Sequence, residues 1–176
     1  EIMHSHRIEN FSALAFGMGL NNHFDDEMEN ILKLDIPMVI DADMFYKDII
    51  VKFLEKEVVL TPHPKEFASF LKLLGMGDFS VEEIQKRRFF FAKKFSEAYP
   101  NSVLLLKGAN TIIAYKKRLY INSFGTPALS KGGSGDILAG MIGALLAQGY
   151  HPLKSAITAS LAHSFAGDVS PNYSLT

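Results

Sequence analysis

Lys131-Gly132-Gly133-Ser134-Gly135-Asp136 places three glycines and a carboxylate directly before an apolar helical pattern. Ile137, Leu138, Met141, Ile142, Leu145 and Leu146 recur at helical spacing, and Gly149 is suited to stop the helix. A helix start carries unpaired N–H groups and partial positive charge. Glycines there let a phosphate approach the amides without a Cβ in the way. Asp136 fits such a site only as a base, one that takes a proton from a hydroxyl attacking the phosphate. The plainer alternative is that Ser134 or Asp136 serves as an N-cap and the glycines form a tight turn.

Other polar groups stand where short apolar runs stop. Phe11 to Phe16 ends at Gly17-Met18-Gly19, and Pro37 to Ile40 ends at Asp41-Ala42-Asp43. Val58 to Leu60 ends at Thr61-Pro62-His63-Pro64, and Val103 to Leu106 ends at Lys107-Gly108. Runs so short and so apolar are expected of strands buried on both faces of a parallel sheet. Helical patterns separate them. Phe67, Phe70, Leu71 and Leu74 lie between Pro64 and Gly75. Ser80-Val81-Glu82-Glu83 predicts a capping box opening one helix through Ile84, Phe91 and Phe95. Thr111 to Tyr115 and Arg118 to Asn122 predict a β-hairpin across Lys116-Lys117, and helices follow over about 137–148 and 152–166. Strands alternating with helices predict a layered α/β fold, with ligands at the carboxyl edge of the sheet. Gly140 and Gly143 suggest close packing of the penultimate helix.

Composition narrows the classes. The chain has 176 residues, 48% of them hydrophobic, which suits one domain with a full core. A formal net charge of -1 offers no field to draw nucleic acid or an anionic membrane. With no cysteine, disulfides and thiol chemistry are excluded. No apolar run reaches the roughly 18–20 residues of a membrane span. A cytoplasmic protein is the expectation. The P-loop pattern is absent, and Gly17-Met18-Gly19 lacks the last glycine of a dinucleotide fingerprint because Asn22 stands there.

The motifs taken together resemble a known family. Lys131 to Gly140 resembles the A-x-G-G-[ST]-G-D-x-L-x-G signature of ribokinase-like proteins. Thr61 to Glu66 is similar to T-P-H-P-x-E, and Leu106 to Thr111 to L-K-G-x-x-T. Ala15 to Leu20 and Asp41 to Asp43 are similar to G-P-G-x-G and D-A-D elements, all in family order. Together they resemble the ADP-dependent NAD(P)H-hydrate dehydratases, which form the carbohydrate-kinase-like half of a bifunctional repair enzyme. That resemblance implies a ribokinase-like α/β/α fold with a mostly parallel sheet, spanning 1–176 as a single domain without the first strands of the family domain. It implies dehydration of the S epimer of hydrated NADH or NADPH, with ADP or ATP as phosphoryl donor and Mg²⁺ present.

By the same resemblance Asp136 is the base. Lys107, Gly108, Ala109, Asn110 and Thr111 bind the nucleotide, with Gly132, Gly133, Ser134 and Gly135 at its phosphates. Gly19, His63 and Asp136 contact the hydrated dinucleotide, and Glu66 supports Mg²⁺ through water. Self-assembly into a homo-oligomer is also implied. Departures from the family pattern stand at Met18, Asn21, Tyr46, Lys65 and Thr126. Against this stand the residue-level alternatives: a turn role for His63, a solvated Lys107, a dipole role for Glu66, and helix capping by Asp41 or Asp43. At the level of activity the alternatives are a small-molecule kinase acting on a thiazole or pyrimidine alcohol, or an inactive nucleotide-binding module.

Overall fold

A computed structural model describes residues 11–20, 25–125, 129 and 131–169. Six strands form one sheet in sequence order: β1 (Leu14–Phe16), β2 (Met38–Ile40), β3 (Val58–Leu60), β4 (Val103–Leu106), β5 (Thr111–Tyr115) and β6 (Arg118–Asn122). β1 to β4 are parallel; β5 adds antiparallel to β4, and β6 antiparallel to β5. The β5–β6 turn has no Asn-Gly, yet Lys116 and Lys117 both adopt positive φ, 46° and 68°. Hairpin twist demands that conformation, and here two lysines accept it.

The sheet is covered on both faces. Alternation along the strands sends Met38, Ile40, Val58, Leu60, Leu104 and Leu106 to one side, with Val39, Val59, Val103 and Leu105 on the other. The first side packs against α1 (Asp25–Leu32), a short 3-10 helix (Ala42–Tyr46), α2 (Ile50–Phe53), α3 (Pro64–Leu73), α4 (Val81–Lys86) and α5 (Arg88–Ala98). Its centre is aromatic. Phe70 lies with its ring centroid 5.4 Å from Phe45 and 5.6 Å from Phe95. Tilted and edge-on pairs of this kind contribute about 0.5–1.5 kcal/mol beyond area burial. Met28, Met38 and Met44 fill the same core.

The second side carries α6 (Ser134–Ala147) and α7 (Pro152–Val169). A Cβ on Gly143 would stand 3.5 Å from the Ala15 Cβ, so α6 sits close over β1 there. Gly140 is exposed with nothing near it, and the expectation of close packing holds for Gly143 alone.

Two expectations are corrected. The single helix predicted after Ser80 is two, because Arg87 leaves helical geometry at φ −125°, ψ 30°. Ser80 itself forms the predicted capping box with Glu83. α6 begins at Ser134, three residues before the predicted start, so Gly135 and Asp136 already lie in its first turn.

Candidate functional site

The carboxyl ends of β1 to β4 hold one another in order. Asp41 N–H donates to Phe16 O and Asp43 N–H to Gly17 O, each at 3.0 Å. Thr61 N–H reaches Ile40 O at 3.1 Å, and Lys107 N–H reaches Pro62 O at 2.9 Å. The four strand-end motifs therefore form one continuous rim. Gly17 is obligatory in it: φ is +117°, and a Cβ would fall 1.9 Å from the Asp41 carbonyl oxygen. Gly19 turns away at φ +66°, with open space where its Cβ would be.

Lys107 is the centre of the rim's charge. Its Nζ donates to Asp41 Oδ1 at 2.8 Å and lies 3.8 Å from Glu66 Oε2. The Asp41 side chain is 2% exposed and that of Lys107 is 23%. This position overturns the capping role expected of Asp41, which makes no side-chain cap bond to the 3-10 helix. It also overturns the solvated alternative for Lys107. A Cβ on Gly135 would come 3.4 Å from that Nζ and 3.6 Å from Asp41 Oδ2. The ion pair thus lies against the first turn of α6.

His63 caps α3. Its Nδ1 accepts from Lys65 N–H and Glu66 N–H, both at 3.1 Å, while Glu66 Oε2 accepts from His63 N–H at 2.7 Å. Nδ1 faces two amide donors, so the ring proton belongs on Nε2, which stands 3.1 Å from Glu66 Oε1. Both oxygens of Glu66 are therefore already engaged. The imidazole remains half-exposed, and its face is open to a ligand even though its nitrogens are occupied. Beside it, the Tyr46 hydroxyl titrates above the ordinary phenol range, through burial first and then through Glu66 and Asp43.

The mouth of α6 has the opposite character. Gly133 occupies the N-cap at φ +83°, and no side chain caps the helix. The plain capping reading of Ser134 and Asp136 is thereby corrected. Ser134 N–H bonds Lys131 O at 3.3 Å and Ile137 N–H bonds Gly133 O at 3.1 Å, which leaves the Gly135 and Asp136 amides of the first turn without a partner among the described residues. A Cβ on Gly132 or Gly133 would meet nothing within 4 Å. Asp136 is exposed, and its carboxylate has no hydrogen-bond or ion-pair partner among the described residues.

A cavity of about 420 Å³ joins these parts. Lys107, Gly108, Ala109 and Thr111 form one wall, with Ser134, Gly135 and Leu138 from α6 beside them. Phe124, Leu129, Ser160, His163 and Ser164 close the far side. That volume falls in the range of small-ligand sites. Of the residues expected at the nucleotide, Lys107, Gly108, Ala109, Thr111, Ser134 and Gly135 line it, whereas Asn110, Gly132 and Gly133 stand outside its lining. Asp136, Gly19, His63 and Glu66 lie outside it too, the last two linked to it through Lys107.

Sequence reasoning missed two residues. Arg88, at the start of α5, donates from Nη2 to Leu106 O at 3.2 Å and to Lys107 O at 3.1 Å. Its guanidinium occupies the space a Cβ on Gly108 would need, 2.7 Å away. Burial lowers its pKa from the ordinary range, and its Nε is buried without a partner. His163, on α7, is 8% exposed and its Nε2 lies 3.0 Å from Ser134 Oγ. Burial pushes its pKa below the usual imidazole value, and hydrogen bonding to the Ser134 backbone pushes the other way. Neither residue sits in a recognisable motif, so only folding reveals them.

For a metal, the described residues hold no group of three or more His, Asp or Glu that could form a cage. Glu66, expected to support Mg²⁺, has both oxygens engaged by His63.

Comparison with known proteins finds relatives of the whole chain. The family model described as NAD(P)H-hydrate dehydratase matches residues 2–175. The chain is 50% identical over 173 residues to the bifunctional NAD(P)H-hydrate repair enzyme Nnr of Helicobacter pylori, covering 96% of this chain and 36% of that protein. It is 34% identical over 164 residues to the ADP-dependent (S)-NAD(P)H-hydrate dehydratase of Bacillus subtilis, covering 92% and 56%. Among solved structures it is similar to the ADP/ATP-dependent NAD(P)H-hydrate dehydratase of Bacillus subtilis co-crystallised with ATP/Mg²⁺ and soaked with CoA. There the TM-score is 0.76 at 28% identity, covering 97% of this chain and 62% of that one. The expected ribokinase-like layering is thus observed. The chain spans about a third of the length of the bifunctional relative and 56% of the single-activity one.

Proposed function

The chain belongs to the NAD(P)H-hydrate dehydratase family, and from that premise we propose that it serves nucleotide-dependent dehydration of the S epimer of hydrated NADH or NADPH. The observation that supports this most directly is the meeting of Lys107, the glycine turn and the uncapped mouth of α6 around one cavity.

Hydroxide is a poor leaving group, and ADP or ATP supplies the phosphoryl group that converts it into phosphate. The chain's own residues then have separable tasks. Lys107 to Thr111 bind the nucleotide, and the Lys107 ammonium lies against Gly135, where phosphate charge would gather. The unpaired Gly135 and Asp136 amides, together with the helix start, stabilise charge developing on the transferring group. Asp136 takes the proton of the attacking hydroxyl; it is exposed and has no partner among the described residues, which leaves it open to substrate. Gly19 and His63 bound the dinucleotide side. Glu66, whose oxygens each keep a lone pair beyond their His63 contacts, would support Mg²⁺ through water, and the ion would arrive with the phosphates.

A cytoplasmic location and self-assembly belong to the same proposal. No helix among the described residues is long and apolar enough to cross a membrane. Exposed Ile121, Phe124 and Phe165 gather near edge strand β6, and light scattering would show whether copies associate. The direct test incubates the protein with ADP, Mg²⁺ and hydrated NADH and follows the absorbance of NADH. Its return supports the proposal; a flat trace with all three present overturns it.

A further inference from the structure

We propose that His163 is a positioning residue for nucleotide binding, acting by holding the Ser134 hydroxyl so that its proton faces the cavity. The inference rests on the nucleotide reading above. Its geometry is local and specific. Ser134 is the first residue of α6, between Gly133 and Gly135, and it lines the cavity. Its hydroxyl caps nothing; it lies 3.0 Å from His163 Nε2, in a buried pair.

A serine hydroxyl has one proton to give and two lone pairs. If it donates to His163, only lone pairs face the cavity, and these repel phosphate oxygens. If Nε2–H donates to Oγ, the hydroxyl proton is free to point at an anion. A bound phosphate selects the second arrangement, so the imidazole proton sets which group the mouth of α6 presents.

The surroundings hold the imidazole to this task. Asn122, on β6, reaches Ser160 Oγ at 2.9 Å and Ser164 Oγ at 3.0 Å through its Nδ2. Those two serines flank His163 on the same stretch of α7, and all three line the cavity. Asn122 Oδ1 is held by Phe124 N–H at 3.0 Å. The polar face of α7 is thereby tied to the sheet, which fixes the stretch of helix that carries His163.

Isothermal titration with ADP tests the inference on the full chain. His163→Leu, which leaves the hydroxyl free to rotate away from the cavity, should weaken ADP binding about threefold. His163→Gln, whose amide nitrogen can replace Nε2–H, should recover most of it. Ser134→Ala, which removes the donor itself, should lose about tenfold, the scale of one hydrogen bond to a charged group, and adding His163→Leu to it should cost little more. Additive losses in the double variant, or His163→Leu binding ADP as the unaltered chain does, would overturn the positioning role. So would a His163→Gln variant that binds no better than His163→Leu. Should the unaltered chain itself bind no ADP, the nucleotide reading falls first and takes this role with it. If His163→Leu fails to fold, the Ser134→Ala and His163→Gln variants still decide.

Discussion

Lys107 and Asp136 both bring charge to the carboxyl edge of the sheet, and they are held in opposite ways. Lys107 is wired in advance: a buried carboxylate grips it, a second stands behind, and Arg88 secures the carbonyl of the same residue. Asp136 stands at a helix mouth stripped of side chains, with no partner among the described residues. The difference separates two requirements of group transfer. The site that receives a permanent anion can be preorganised, because its ligand's charge does not change sign. In the proposed reaction Asp136 is the group that accepts a proton, and a cationic or hydrogen-bond-donating partner would lower its basicity.

The contrast can be broken at either end. Its largest effect is expected at Asp136. Asp136→Asn should lower turnover about 10²–10⁴-fold, the usual worth of a positioned base, with ADP affinity and melting temperature nearly unchanged. Retained turnover would dispose of the base; lost stability would mean the carboxylate is structural after all. At the other end, Lys107→Met should weaken ADP binding and also destabilise the fold by about 3 kcal/mol, because Asp41 is left buried without its partner. Urea denaturation measures this. An unchanged midpoint would show that the network is not wired as tightly as its distances imply.

The smallest effect sharpens the comparison through pH. Burial holds the His163 pKa below that of the unfolded chain. As pH falls through roughly 6.5, the unfolded imidazole takes up a proton that the folded one resists. Stability is therefore present above that range and declines below it. Between pH 7.5 and 5.5 the unaltered chain should lose more melting temperature than His163→Gln, read by calorimetry without nucleotide. Equal losses would remove His163 from the balance.

Much of this was legible before folding. The short apolar runs named β1 to β4, which are covered on both faces, and the hairpin pattern named β5 and β6 despite their polar residues. The glycine turn and the strand-end motifs were legible because positive φ and close approach restrict the residue type. The partners were not. That Asp41 reaches Lys107 across 66 positions depends on strand order, which no local pattern encodes. Arg88 was hidden because the break at Arg87 interrupts an otherwise continuous helical pattern. His163 looks like any histidine in a helix until α7 is laid against α6. Of the departures from the family pattern, Asn21 and Thr126 fall outside the described residues, and Lys65 is exposed beside the His63 cap.

The contact between Gly17 and Asp41 carries one more implication. β1 is three residues long and forms the border of the described sheet, with β2 its sole strand neighbour there. The backbone of Asp41, and so the carboxylate that orients Lys107, is registered against that border by the Phe16 carbonyl, and that of Asp43 by the Gly17 carbonyl. Opening at the margin would loosen the electrostatic centre before the interior strands yield. Amide protons of Asp41 and Asp43 would then exchange with solvent as a pair, earlier than those of β3 or β4.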